Sequence, residues 1–186
     1  MPFTRSKVAV MEILSSLNKI DRRLFARVFS QGERAMVIPM SKALSRSGDG
    51  YLHVFIPLLF LAVDAENLTT FVSLLALSLI VERSLYWCLK NSLKRRRPEE
   101  AVPGFRSLIT ASDKFSFPSG HSSGAFLLAT ALVVVYGGPV TAMYLWASGV
   151  ALSRIMLGVH FPGDTVAGGV MGAGVVLFIG SQMGLV

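Results

Sequence analysis

The sequence has few cysteines and few charged residues, and each scarcity excludes a class of protein. Cys88 is the single cysteine among 186 residues, which excludes a disulfide framework and a cysteine metal site. Charged residues make up only 16% of the chain, hydrophobic residues make up 52%, and the mean hydropathy is +0.57. This composition is too apolar for an ordinary soluble domain and indicates an integral membrane protein.

Acidic residues are also scarce. The 18 Lys and Arg residues outnumber the 11 Asp and Glu residues, and the net charge is +7. Such a surplus suits nucleic acid, a membrane surface or an anionic substrate. A nucleic-acid binder would explain the charge but not the long apolar segments, so we expect no nucleic-acid partner. The first thirty residues carry cations between short apolar runs and have no small-residue cleavage site, which does not fit a cleaved signal peptide.

The apolar segments predict an all-α fold, a polytopic bundle of about five transmembrane helices. They are Tyr51 to Val63, Leu68 to Leu89, Pro118 to Tyr136, Pro139 to Leu157 and Thr165 to Val186. A helix needs roughly 20 residues to cross a hydrocarbon core of about 30 Å, so the first segment requires flanking residues. Residues 6 to 45 alternate apolar clusters with charges, which favours amphipathic helices on the membrane surface. We therefore divide the chain into an N-terminal interfacial segment, 1–48, and a transmembrane domain, 49–186.

The loops between these spans differ in charge. If each segment crosses once, all the Lys and Arg residues lie on one face or, for Arg83, on the helix leading to it. By the positive-inside rule, that face is cytoplasmic. In the last span, Gly168 and Gly172 have the GxxxG spacing that allows close helix approach, and we expect them to serve packing within the chain.

Three segments on the charged face hold most of the reactive side chains. They are KNSLKRRRP from Lys90 to Pro98, PSGH from Pro118 to His121, and SRIMLGVHFPGD from Ser153 to Asp164. Polar groups near a bilayer are costly and usually mark a site.

The cations in these segments suit a multiply charged anion. Lys90, Arg97 and Arg154 come from three helix ends, and guanidinium groups match phosphate oxygens bidentately. Ser119 and Gly120 precede a helix, where free backbone N–H groups and the helix dipole favour an anion. These residue types therefore predict a phosphate-binding site.

The two histidines suit group transfer. His160 and Asp164 are four residues apart, so the carboxylate can accept a proton from one ring nitrogen and leave the other free as a nucleophile. His121 begins the neighbouring span and can donate a proton to a departing oxygen. Nucleophile, orienting carboxylate, acid and cationic clamp are then complete without a metal or another cofactor.

The three segments together resemble the signature KxxxxxxRP, PSGH and SRxxxxxHxxxD of the type 2 phosphatidic acid phosphatase superfamily, which also includes the vanadium haloperoxidases. Every defined position matches, and the resemblance extends from about Leu68 to the C-terminus. It implies a phosphohistidine on His160, oriented by Asp164, with His121 as the acid. It also implies phosphate binding by Lys90, Arg97, Ser119, Gly120 and Arg154.

The stretches DKFSFPSGHSS and LSRIMLGVH further resemble the polyisoprenoid diphosphate branch of the superfamily. This resemblance favours an isoprenoid diphosphate over phosphatidate or phosphatidylglycerol phosphate as the lipid substrate. The alternatives are a lipid phosphotransferase, a vanadate-dependent haloperoxidase and a lipid-binding protein without catalysis.

Other polar residues are expected to be structural. Lys94, Arg95 and Arg96 are expected to form a solvated basic patch that attracts anionic lipid heads. Tyr86 is expected to be an interfacial anchor. His53 is expected to be a packed or interfacial histidine.

Overall fold

The computed structural model describes residues 5–63 and 66–186, with side chains from residue 18 onward. Within these ranges the chain is helical and has no strand, in agreement with the all-α prediction. Its helices are α1 (Arg5–Gly32), α2 (Val37–Ser47), α3 (Tyr51–Ala62), α4 (Leu68–Leu93), α5 (Pro98–Ala101), α6 (Gly120–Tyr136), α7 (Met143–Met156) and α8 (Pro162–Gln182). The side chains of residues 8–17, predicted to form an amphipathic face, and the loop residues 64 and 65 lie outside the described set.

Helix α6 lies at the centre of the bundle and contacts α4, α7 and α8. Its middle residues are small or aliphatic, and Leu127, Leu128 and Ala129 are completely buried. A helix that is apolar on all sides is typical of a buried position. Leu74 of α4 and Val176 of α8 pack into the same core. The first turn of α6 is therefore held in place by neighbours on several sides.

Helices α6 and α8 approach so closely that only glycine fits between them. A β-carbon at Gly168 would lie 2.4 Å from the carbonyl oxygen of Ser119, and one at Gly172 would lie 2.1 Å from that of Ser123. Both distances are shorter than any van der Waals contact. The GxxxG pair thus serves packing within the chain, as the sequence suggested.

The N-terminal helices pack against the same bundle. Phe25 and Phe29 of α1 form an aromatic cluster with Phe105 and Phe161, and the ring centroids lie 4.7 to 5.8 Å apart. Helix α2 contacts α7. These contacts hold α1 and α2 beside the loops that carry the sequence motifs.

The described helices include two with the length and hydropathy of a complete membrane span, within Leu68–Ala101 and Pro162–Gln182. Helices α3 and α6 are apolar but shorter. Large apolar side chains are exposed on the outer faces of the long helices, including Ile80 at 66%, Val170 at 68% and Phe178 at 61%. Outward apolar side chains on helices of this length are typical of a protein that lies in lipid. The protein is therefore a membrane protein.

The α6–α8 contact provides a stability test. We expect Gly172→Ala to lower the free energy of unfolding by about 1–3 kcal/mol, because the added methyl group forces the helices apart. The measurement is the thermal unfolding midpoint in detergent. Gly174→Ala is the matched control, since a β-carbon there has no neighbour within 4 Å. Equal midpoints for the two variants would contradict the close-packing account.

Candidate active site

The three sequence motifs meet at a cavity of about 850 Å³, here called the site cavity. It lies between α2, α3, α4, the loop before α6 and the ends of α6 and α7. Five of the eight sequence-predicted site residues line it: Arg97, Gly120, His121, Arg154 and His160. The other three, Lys90, Ser119 and Asp164, do not line the cavity. Lys90 bonds to Asp113 and Asp164 bonds to Ser116, both in the loop before α6, and the Ser119 N–H bonds to the Asp164 carbonyl oxygen.

His160 lies in the loop between α7 and α8 and is only 2% exposed. Its Nε2 atom is 3.5 Å from Nη1 of Arg97, and its Nδ1 atom is 3.7 Å from Oδ2 of Asp164. Burial lowers the pKa of His160 to about 4, and the cations Arg97 and Arg154 act in the same direction against the opposing effect of Asp164. The ring is therefore neutral at pH 7, as a nitrogen nucleophile must be.

Asp164 is completely buried in the first turn of α8, which begins at Pro162. Its carboxylate accepts hydrogen bonds from the Ser116 hydroxyl, from the backbone N–H of Phe161 at 2.8 Å and from Arg95 at 2.6 Å. The 3.7 Å separation from His160 is an electrostatic contact and is longer than a hydrogen bond. Because the helix start and Arg95 fix the carboxylate, it lies beside the Nδ1 edge of the ring.

Lys90 and Arg97 share one carboxylate, that of Asp113 in the loop before α6. The Lys90 ammonium donates to Oδ2 at 2.8 Å, and the Arg97 guanidinium donates to Oδ1 at 2.5 Å. Tyr86 donates to the same Oδ2 at 2.7 Å and accepts from Lys90 at 2.6 Å. Arg97 also donates to the carbonyl oxygen of Val159 at 2.5 Å, which ties it to the His160 loop.

Helix α2 and the turn after it supply partners for two of the predicted residues. Arg154 donates to the Ser45 hydroxyl at 2.5 Å, and His121 contacts Oδ1 of Asp49 through Nε2 at 2.7 Å. Arg154 Nε is buried and has no hydrogen-bond partner within residues 18–63 and 66–186. Arg154 as a whole lines the site cavity, so its positive charge borders the space in which an anion can lie.

The start of α6 forms another part of the wall. Ser119 is buried, and its hydroxyl caps the helix by accepting from the backbone N–H of Ser122 at 3.4 Å. Its own N–H donates to the Asp164 carbonyl oxygen at 3.0 Å, which joins the starts of α6 and α8. Gly120 follows, and a β-carbon there would lie 3.0 Å from the Tyr86 ring. Gly120 also lines the site cavity, so the helix N-terminus borders the cavity next to the Tyr86 ring.

Two sequence expectations about individual residues are wrong. Arg95 is not part of a solvated patch, because it bridges Asp164 and Asp21 at 2.6 and 2.5 Å. The left-handed backbone of Lys94, with φ of 47°, turns the chain so that Arg95 points inward. Tyr86 is not an interfacial anchor, because it is 9% exposed and bonded to Asp113.

Sequence reasoning also missed several partners of the motif residues. Ser45, Asp49, Asp113, Ser116 and Asp21 lie in loops or on the N-terminal helices, where no motif marks them. A signal was present for Ser45, because it shares one face of α2 with Lys42, three residues earlier. His53 behaves as the expected packed histidine and contacts the carbonyl oxygen of Gly124 at 3.0 Å.

Several curated proteins are similar in sequence. The decaprenylphosphoryl-5-phosphoribose phosphatase of Mycobacterium tuberculosis is 31% identical over 96 residues, which are 52% of this chain and 52% of that protein. The lipid A 4'-phosphatase of Bacteroides thetaiotaomicron is 38% identical over 88 residues, 45% of this chain and 39% of that protein. The matched parts are thus about half or less of either relative's length.

Solved structures extend the similarity to most of the chain. LpxE of Aquifex aeolicus superposes with a TM-score of 0.69 at 26% identity, over 84% of this chain and 92% of that one. The transmembrane PAP2-type phosphatidylglycerolphosphate phosphatase of Bacillus subtilis shares the fold, with a TM-score of 0.70 at 20% identity over 91% of this chain and 86% of that one. The family model of the PAP2 superfamily matches residues 67–184, which contain all three motifs. The chain therefore belongs to the PAP2 superfamily.

Proposed function

We propose that this protein is a membrane lipid phosphatase that uses His160 as a phosphohistidine-forming nucleophile. The observation that carries the proposal is the meeting of His160, His121, Arg97 and Arg154 at one cavity. A neutral buried histidine between two guanidinium groups suits attack on a phosphorus atom whose oxygens are held by those cations.

The proposed reaction has two steps. Nε2 of His160 attacks phosphorus, the bond from phosphorus to the bridging oxygen breaks, and His121 donates a proton to that oxygen as it leaves with the lipid. Water then attacks the phosphohistidine while His121 accepts its proton, the P–N bond breaks, and inorganic phosphate leaves. The negative charge of Asp164, 3.7 Å from Nδ1 of His160, stabilises the ring while it carries the phosphoryl group.

The proposed phosphate site consists of Arg97, Arg154, Lys90, Ser119 and Gly120. Arg154 and Gly120 both line the cavity, at the end of α7 and at the start of α6. Lys90 is 5% exposed and bonds to Asp113, which lines the cavity. Its positive charge therefore acts on the cavity at one residue's distance. No step of this chemistry needs a metal, and we therefore propose that the activity is metal-independent.

The proposed substrate is a lipid phosphate, with isoprenoid diphosphates placed before phosphatidate and phosphatidylglycerol phosphate. The site cavity is bordered by α3 and α4, whose outer faces are apolar, so a headgroup in the cavity can keep its tails in lipid. The names of the matched relatives refer to a polyprenyl lipid and to lipid A, which supports this substrate class.

The proposed topology has five spans, α3, α4, α6, α7 and α8, with α1 and α2 on the membrane surface and the site cavity toward the cytoplasm. The division into an interfacial segment, 1–48, and a transmembrane domain, 49–186, follows the same proposal. The concentration of Lys and Arg on the site face supports this orientation.

Phosphate release tests the proposed reaction. We expect detergent-purified protein to release phosphate from a long-chain isoprenyl diphosphate in EDTA, and His160→Ala to reduce the rate by at least about a thousandfold, as loss of a nucleophile does. Phosphate release that requires added metal, or that survives in His160→Ala, would contradict the proposal.

The covalent intermediate can be tested separately. Rapid quenching with ³²P-labelled substrate should give a protein label that survives alkali and is lost in acid, because a phosphoramidate has that stability. His53→Ala is the control that should keep the label, whereas His160→Ala should not acquire it. A label that remains after acid treatment would assign the intermediate to another side chain.

The pH dependence of stability tests the pairing of Asp113 with Lys90 and Arg97. Burial alone raises the pKa of Asp113, but hydrogen bonds from Lys90 and Tyr86 and the charge of Lys90 outweigh it and lower the pKa to about 2. This depressed pKa contributes stability above about pH 4, and the contribution is lost as the pH falls toward about 2. Asp113→Asn should therefore unfold at a lower temperature than wild type at pH 7, and the difference should shrink below about pH 4. A difference that stays constant from pH 7 to pH 3 would contradict this role.

A further inference from the structure

Helix α2 and the turn after it present one polar face to the site cavity. Lys42, Ser45 and Arg46 have the spacing i, i+3 and i+4, which puts them on one side of α2, and Asp49 lies in the turn that follows; all four line the cavity. None of them belongs to the three motifs, and the family model begins only at residue 67. This face is therefore a part of the cavity wall that lies outside the region matched by the superfamily model.

Two members of this face contact residues of the proposed reaction. Ser45 bonds to Arg154 at 2.5 Å, and Asp49 contacts His121 at 2.7 Å. Because His121 is the proposed acid for the departing oxygen, α2 borders the leaving-group side of the cavity. Any charge on this face lies where the remainder of the substrate must lie during phosphoryl transfer.

The other two members are cations without a carboxylate. Neither Lys42 nor Arg46 forms a salt bridge within the described side chains, whereas Lys90, Arg95 and Arg97 all do. Arg83, across the cavity on α4, is also paired, with the buried Glu82 at 2.5 and 2.6 Å. Lys42 and Arg46 thus keep their charge available for a ligand in the cavity.

The cavity is larger than one phosphate group requires. At about 850 Å³ it is in the range of cavities that hold whole small molecules. Residues one helical turn apart have β-carbons about 5–6 Å from each other, and Lys42 lies one turn before both Arg46 and Ser45, the partner of Arg154. An anionic group next to the phosphate under attack would therefore be within reach of both cations.

We propose that Lys42 and Arg46 form a second anion subsite that binds the phosphate which remains on the lipid when a diphosphate substrate is cleaved. This inference rests on the proposed function. His160 attacks the terminal phosphorus, and the bond from that phosphorus to the oxygen bridging the two phosphates breaks. The electron pair goes to the inner phosphate, whose charge the two cations stabilise. The subsite thus favours diphosphates over monophosphates.

Binding without turnover tests the subsite first. In the His160→Ala protein, inorganic pyrophosphate should bind at least about tenfold more tightly than inorganic phosphate by calorimetry, as expected from added charge-assisted hydrogen bonds. Adding Lys42→Gln and Arg46→Gln together should remove most of this difference and leave phosphate affinity nearly unchanged. If the two substitutions weaken the binding of both anions equally, or of neither, the inference is overturned.

Turnover tests the same point in neutral detergent, where attraction to an anionic bilayer plays no part. The Lys42→Gln/Arg46→Gln protein should lose about tenfold in kcat/KM for an isoprenyl diphosphate and little for the monophosphate with the same tail. The matched control is Lys19→Gln/Arg34→Gln, which removes two exposed cations outside the cavity and should affect neither substrate. A loss shared by both substrates, or an equal loss in the control, would overturn the subsite.

The binding and turnover measurements distinguish a failure of the subsite from a failure of the proposed function. If wild-type protein releases phosphate from neither lipid but binds pyrophosphate through Lys42 and Arg46, the proposed function fails and the subsite stands. If it releases phosphate through His160 with equal kcat/KM for diphosphate and monophosphate, the proposed function stands and the subsite fails.

Discussion

Neutralisation of buried cations is the constraint on which the rest of this site depends. Lys90, Arg97 and Arg154 are each less than a tenth exposed, and an uncompensated buried charge costs several kcal/mol. Asp113 compensates Lys90 and Arg97 together. Arg154 has a hydroxyl partner, Ser45, but no carboxylate in a salt bridge within the described side chains. The site therefore retains positive charge where an anion can bind, while the surrounding charges are balanced.

Helix packing brings the chemically distinct motifs together. The glycines of α8 allow it to touch the backbone of α6, and the Ser119 N–H bonds to the Asp164 carbonyl oxygen at that contact. This bond fixes the PSGH motif to the last residue of the motif that runs from Ser153 to Asp164. Because the contact is between backbones, its geometry varies little with the surrounding side chains. This rigidity suits a site in which His160 must keep a fixed position relative to the phosphate.

The N-terminal helices complete the site from outside the family-matched region. Asp21 of α1 compensates Arg95, and α2 with its following turn provides Ser45 and Asp49. The aromatic cluster of Phe25, Phe29, Phe105 and Phe161 anchors α1 next to the loop that carries His160. Variation in these helices therefore changes the surroundings of the reaction without changing the motifs.

The helical class, the positions of the main apolar segments and the identity of the motif residues can be read from the amino-acid sequence. Those features follow from local composition and spacing, and the three motifs in order are specific enough to identify a superfamily. The partners of the motif residues emerge only when the chain is folded: Asp113 lies between Lys90 and Arg97, Arg95 turns inward, and α2 borders the cavity. The physical reason is that charge compensation acts between residues far apart in sequence, as between Asp21 and Arg95, which are 74 residues apart, and leaves no periodic signal. A run such as KRRRP has one local composition, yet Arg97 is buried and Arg95 pairs with Asp21 and Asp164, while Lys94 and Arg96 are exposed.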